Sequence, residues 1–308
     1  MKSQVSKGFQ TNSPCWENPQ PVVGKVNLEV WHHEVDGREG STLMDWACTP
    51  AYCRAVAAAL KLPFYASWLE GGFEREMLRE DQPKAKTWFE TPSGLRSVGG
   101  ESKKLGTRLK FPQVSSDLRV RWCSSYLKID VARIAINNQK RFKGARTLVI
   151  TGERAEESPG RAKYKIFEPH ECSQGDRHVD RLRLVHGLSS MQIWEAIELC
   201  KVNPHPAYRL GFGRCSCQFC IFASDSQWAT LWAIDKSRLL RLIRYEAKFG
   251  VTIHRTKSLI SRIKAGVPYA NLKPEDIKAA LSSTWDEPIF LERWEAPAGM
   301  WNECIGPT

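Results

Sequence analysis

Apolar and polar residues alternate through VNLEVWHH (26–33), the period-two pattern of a strand with a partly exposed face. The period then lengthens. Thr49-Pro50 supplies an N-cap and a proline suited to a first helical turn. The spacing of Tyr52, Val56, Ala59 and Leu60 predicts a helix presenting one apolar face and stopping before Pro63. LPFYASW (62–68) predicts a second strand, 125–139 a helix, and ARTLVIT (145–151) a short buried strand. Ser189 with Gln192 forms a capping-box pattern, opening a helix whose Met191, Trp194 and Ile197 face inward. Residues 226–264 read as one or two basic helices, with Arg241, Arg244 and Lys248 on one face. Strand and helix alternate, which predicts a parallel sheet with helices on both sides. Ligands bind such sheets where loops leave the carboxyl ends of the strands. That edge gathers His32, His33, the segment Gly152–Ser158 and the irregular connection over 92–118.

Composition adds boundaries. Residues 1–24 are rich in Ser, Asn, Pro and Gln without periodicity and read as a poorly ordered tail. The organisation expected is that tail, an α/β domain over 25–225 and a basic helical extension over 226–308. No apolar run reaches the roughly 18–20 residues of a membrane helix, and the opening 25 residues lack a secretory apolar core. A cytoplasmic chain with no membrane partner is expected, its ten cysteines reduced.

The net charge of +11 is concentrated: residues 95–146 hold thirteen Lys/Arg against three Asp/Glu. Such a segment favours a polyanion, whether nucleotide phosphate, sulfate or a nucleic-acid backbone; a solvated basic loop is the plain alternative.

Chemistry concentrates in two stretches. In TGERAEES (151–158), followed by Arg161, the guanidinium forks of Arg154 and Arg161 suit phosphate or sulfate, and Gly152 permits close backbone approach. A surface turn of paired Arg and Glu would carry the same residues. GFGRCSCQFC (211–220) places Cys215, Cys217 and Cys220 at C-x-C-x-x-C spacing beside Arg214. A closed structural metal site takes four ligands, so Cys123 in RWCSSYLK, expected after a strand (LRVRW), is the best fourth, with Cys200 and His205 as fallbacks. Buried, unligated thiols remain the plain alternative.

RWCSSYLK (121–128), TGERAEESPGRA (151–162) and PHPAYRLGFGRCSCQFCIF (204–222), in this order, resemble the phosphoadenosine phosphosulfate (PAPS) reductase family, especially its compact phage-associated members. MDWACTPAYCRAVAAAL and SWLEGGFEREML add to the likeness, which covers roughly residues 25–265. The resemblance implies a Rossmann-like, adenine nucleotide alpha-hydrolase-like fold acting on activated sulfate or sulfur, an oxidoreductase of sulfur metabolism. It also implies a [4Fe–4S] cluster on Cys123, Cys217 and Cys220, with Cys215 in place of a missing second thiol at Ser124; zinc is the alternative. Lys128, Gly152, Arg154, Glu157, Ser158, Arg161 and Arg214 would surround an adenylyl nucleotide, PAPS or ATP. Cys304, in a Glu-Cys pair near the carboxyl end, corresponds weakly to a catalytic thiol of that family.

One departure is large. The family's glycine-rich SGGKDS loop has no counterpart, and VNLEVWHH corresponds to the family's second strand. The unit carrying the first strand, its loop and its helix is absent, which would strip ladder partners from both neighbouring strands. An amino-terminal truncation, a separate chain supplying that unit, or a non-catalytic remnant is then expected beside the enzymatic reading. A further alternative is a sulfurtransferase component acting on nucleic acid, with Trp88, Phe89, Phe111 and Trp122 stacking on bases.

Overall fold

The structure, a computed structural model, describes residues 28–270 and 272–302; the tail over 1–24 and Cys304 lie outside the described residues. The chain runs β1 (Val30–Glu34), α1 (Thr49–Ala59), β2 (Phe64–Leu69), α2 (Gly72–Met77), β3 (Thr87–Thr91) and β4 (Gly94–Val98). One long helix follows in three pieces: α3 (Trp122–Ser124), a π turn (Ser125–Ile129) and α4 (Asp130–Asn137). Then come β5 (Arg146–Ile150), α5 (Pro159–Ala162), β6 (Phe167–Pro169), β7 (His178–Leu182), α6 (Ser190–Leu199) and α7 (Pro206–Arg209). The carboxyl-terminal part is helical: α8 (Asp225–Ile234), α9 (Lys236–Phe249), α10 (Leu259–Ala265) and α11 (Pro274–Leu281).

The fold is mixed α/β with sheets flanked by helices. In place of one parallel sheet there are two: four strands in the order β1-β2-β3-β4, and three in the order β5-β7-β6. β1 and β2 are parallel, as are β5 and β7, and the remaining pairs are antiparallel. The antiparallel strands follow from connection length. β3 and β4 are joined by Pro92 and Ser93 alone, too short for a parallel crossover. β4 also falls inside the stretch expected to be irregular.

α1 keeps Pro50 in its first turn, but Thr49, expected to cap it, already lies in the helix and Cys48 precedes it without a side-chain cap; Ala57 is its fully buried residue, and Ala59 and Leu60, expected inside, are exposed. The Ser189 capping box forms as expected, with Trp194 buried, while Met191 faces solvent. β5 corrects a stronger expectation: its Leu148 and Ile150 are 48% and 49% exposed, on a sheet face where Phe167, in the same row, is 56% exposed as well.

A single core joins the two ends of the chain. Val35, Met44, Phe73, Trp122 and Leu127 pack in one cluster with Trp228, Leu231, Leu239, Leu242 and Leu259 of α8 to α10. The boundary expected after residue 225 therefore runs through that core. Phe89, Phe111 and Trp122 are at most 1% exposed, so three of the four aromatics considered for base stacking are core residues instead.

The turn leaving β1 is fixed by backbone contact. Gly72 has φ +54°, and a Cβ built there would lie 2.0 Å from the carbonyl carbon of Asp36. Phe73 N–H donates to the Val35 carbonyl at 2.8 Å, closing the same junction. Gly72→Ala is expected to lower unfolding free energy by about 2–4 kcal/mol, through strain and displaced backbone, as read by urea denaturation.

Candidate functional site

The carboxyl ends of β1 and β5 open onto one cavity of about 410 Å³. Val35 and Met44 come from the loop after β1, and Glu153, Ser158, Gly160 and Arg161 from the loop after β5. Ser116, Leu118 and Arg121 come from the basic connection, Cys123, Ser124 and Lys128 from the broken helix, and the segment from Arg214 to Phe222 closes the wall.

Each wall is held by identifiable bonds. Asp36 accepts the backbone N–H groups of Met44 and Asp45 at 3.0 and 2.8 Å, folding the β1 loop back on itself. The cysteine segment is pinned by Phe219 N–H donating to the Met44 carbonyl at 3.0 Å. Arg238 of α9 donates to the Asp45 carbonyl at 2.8 Å and to Asp235 at 2.6 Å, and also to the Gln218 side chain. Gln218 donates in turn to Asp235 at 3.0 Å. Ser158 Oγ accepts the Arg161 N–H at 3.2 Å and so starts the short α5. The basic connection is anchored from below: Arg108 pairs with buried Glu76 at 2.7 Å and lies over Trp122, 4.6 Å from the ring centre.

Cys123, Cys215, Cys217 and Cys220 all line this cavity, although Cys123 sits in a helical turn and not after a strand. Burial pushes the Cys123 thiol up to about 11, with the charge of Cys220 adding to the rise. Burial also holds Cys217 well above the ordinary thiol range; Lys128, whose Nζ stands 3.8 Å from its sulfur, opposes that rise without overcoming it. Lys128 is exposed because it borders the open cavity, and its own pKa is raised, chiefly by Cys217. Cys215 belongs to a different group. Burial raises its pKa most, followed by Asp45, Cys53 and Cys48. Among the described residues, no three His, Cys, Asp or Glu side chains are grouped closely enough to hold a single metal ion. All eight described cysteines are free of disulfides.

The fallback ligands are occupied elsewhere. His205 Nδ1 accepts the Ala207 N–H at 3.2 Å, and its Nε2 stands 3.3 Å from Cys48 Sγ. Cys200 ends α6 and does not line the cavity.

The expected anion ligands divide. Arg161 and Arg214 line the cavity with Arg121, which sequence reasoning left unremarked inside the basic run. Burial lowers the Arg161 pKa against the opposing charge of Glu153, and the nearby Arg214 and Arg121 lower it further. Arg154, by contrast, is spent on the turn: it donates to Glu156 at 2.6 Å and to Ser190 at 3.0 Å. Glu157 pairs with Arg161 and accepts the Arg154 N–H, and neither Glu157 nor Gly152 lines the cavity. The helical stripe is also partly committed, since Arg241 pairs with Glu74 at 2.9 Å. His32 and His33 lie within β1, below the cavity; His33 Nδ1 bonds Ser67 Oγ at 2.8 Å.

No family model and no solved structure matches the chain. It is 27% identical over 149 residues to a protein of Escherichia phage 186 described as an uncharacterized 37.8 kDa protein in the gpa 5′ region. That match covers 48% of this chain and 43% of the phage protein, so the chain spans less than half the length of this curated relative. Among the described residues, no helix is long and apolar enough to cross a membrane.

Burial lowers His32 to about 3, His33 to about 4 and His205 to about 3. Unfolded histidine binds its proton near pH 6.5, so this stability is complete above that value and is lost as pH falls toward 4. Asp45, raised to about 6 by burial, acts oppositely over pH 4–6 and offsets one of the three protons. Near pH 5 unfolding should take up about two protons net from these four groups, or about 3 kcal/mol per pH unit. Urea titrations at pH 7, 6 and 5 would measure this, and His33→Gln should remove about one proton from the slope.

Proposed function

We propose that the cavity binds an adenylyl nucleotide carrying phosphate or sulfate, and that the protein performs reductive or transfer chemistry on sulfur, as its resemblance to PAPS reductases implies. One observation carries the reading: Arg121, Arg161, Arg214 and Lys128 line one cavity together with Cys123, Cys217 and Cys220, at the carboxyl ends of β1 and β5. The guanidiniums offer paired donors to a tetrahedral anion, and concentrated positive charge stabilises negative charge moving onto a leaving group. Phe222 and Tyr164 add apolar wall for a base or ribose.

A four-iron cluster is the reading that the resemblance implies for these thiols. Four thiolates on one zinc stand about 3.8 Å apart, given bonds of roughly 2.3 Å in a tetrahedron, and no such grouping occurs among the described residues. A four-iron cluster spreads its ligands over its corners. Cys123, Cys217 and Cys220 would hold it, and it would supply a soft, electron-rich centre beside the anion. Lys128 would stay protonated and balance the thiolates' charge. Its place beside Cys217 makes it a partner of the thiols as well as of the ligand.

The nucleic-acid reading has lost specific support, since its aromatics are largely buried and Arg241 is paired. A remnant would bind no nucleotide.

Anaerobic purification with iron and sulfide assays tests the cluster: Cys123→Ser should abolish iron retention and Cys215→Ser should leave most of it. Calorimetric titration with PAPS tests the anion site. Arg161→Ala or Arg214→Ala should weaken binding by about ten- to a hundredfold, the loss of a charge-assisted pair. Arg154→Ala should change binding little, because its contacts serve the turn. A folded, colourless protein with no affinity for PAPS or ATP would defeat the proposal.

A further inference from the structure

A second cavity, of about 210 Å³, adjoins the first. Arg214, Cys220 and Phe222 border both, so the cysteine segment is the wall between them. Gln227, Tyr269 and Asn302 lie on the new side. Among the described cysteines, Cys220 is the one that reaches it, while Cys123 and Cys217 face the first cavity with it.

Cys217 and Cys220 stand at the two ends of a tight turn made by Gln218 and Phe219. Such a turn holds its first and fourth Cα atoms within about 7 Å, and a disulfide needs about 4.4–6.8 Å. The middle of the turn is clamped, since Gln218 donates to Asp235 at 3.0 Å and Phe219 is fully buried and stacks on Trp228. The two thiols are left at the cavity walls, half-buried, and neither is in a disulfide. Lys128 Nζ stands 3.8 Å from the Cys217 sulfur. Paired thiols at this spacing, one of them open to a separate polar cavity, suit thiol–disulfide exchange.

We propose that Cys217 and Cys220 of the metal-free chain are a redox pair, and that the second cavity is the port through which a small anionic peptide disulfide reaches Cys220. The Arg214 guanidinium suits a carboxylate, and the Gln227 and Asn302 amides suit a peptide backbone. First, the Cys220 thiolate attacks one sulfur of the incoming disulfide, which forms a mixed disulfide and expels one peptide thiolate. The Cys217 thiolate then attacks the Cys220 sulfur, closing the bond between them and expelling the second. Two electrons pass from the protein to the peptide, and the protons lost by the two protein thiols are regained by the two peptide thiolates. Once joined, neither sulfur can offer a thiolate to a metal, so the state of this pair decides whether the first cavity can be loaded.

The test uses the full chain, reduced and stripped of metal by a chelator, with oxidised glutathione as probe. It needs neither nucleotide nor iron, so its failure is distinct from failure of the cluster or of the anion site. Peptide mapping should find the Cys217–Cys220 bond, with two glutathione thiols released for each bond formed. Cys217→Ser should halt the reaction at glutathione held on Cys220. The rate of that adduct should saturate with oxidised glutathione, as binding in a cavity requires, and rise linearly with the uncharged disulfide of mercaptoethanol. Asn302 is exposed at the rim of the second cavity and does not line the first, so Asn302→Trp should obstruct the port and slow the glutathione adduct about tenfold. The proposal is overturned if Cys217 and Cys220 do not join at any ratio of oxidised to reduced glutathione, or if Cys220 bonds a different cysteine. It is equally overturned if the adduct rate stays linear in oxidised glutathione, or if Asn302→Trp leaves that rate unchanged.

Discussion

The candidate site depends on Arg238. Its guanidinium reaches from the start of α9 to the Asp45 carbonyl, the Asp235 carboxylate and the Gln218 amide, joining three distant segments. Gln218 lies between Cys217 and Cys220, so this network sets where those sulfurs stand relative to the loop leaving β1. A planar group with five donors can satisfy such a junction; a lysine would lose its geometry. The carboxyl-terminal helices are thus part of the site's frame.

Around that frame the charges are arranged unevenly. Burial holds the Cys123 and Cys217 thiols above their ordinary range, while arginine side chains and Lys128 line the cavity wall. A soft metal would have to displace protons, and the neighbouring cations would favour the thiolates produced. An anion would find its countercharge already in place. The two halves of the cavity are therefore chemically distinct but electrostatically linked through Lys128.

Much of this was legible in the sequence, for physical reasons that differ by element. Proline at the start of α1 and the Ser189 capping box are local signals, and both stand where the helices begin. The convergence of Cys123 on the later cysteines was legible through motif order. Long-range packing was not: nothing local tells ARTLVIT that one face of its strand is left exposed, so its apolar run reads as buried. Charge alone likewise cannot separate Arg161, which borders the cavity, from Arg154 seven positions earlier, which is consumed by Glu156 and Ser190. Arg121 was hidden because it is one cation among thirteen in that run.

The π turn at Ser125–Ile129 brings to one cavity two side chains that a regular helix would point apart. In an α-helix, residues five apart point about 140° from one another. A π turn closes a bond between positions five apart and brings them back to the same side. Cys123 and Lys128 are five apart, and both reach the cavity. A single additional residue within one helical turn thus turns both side chains toward one cavity, and excising it would restore an ideal helix and point them apart.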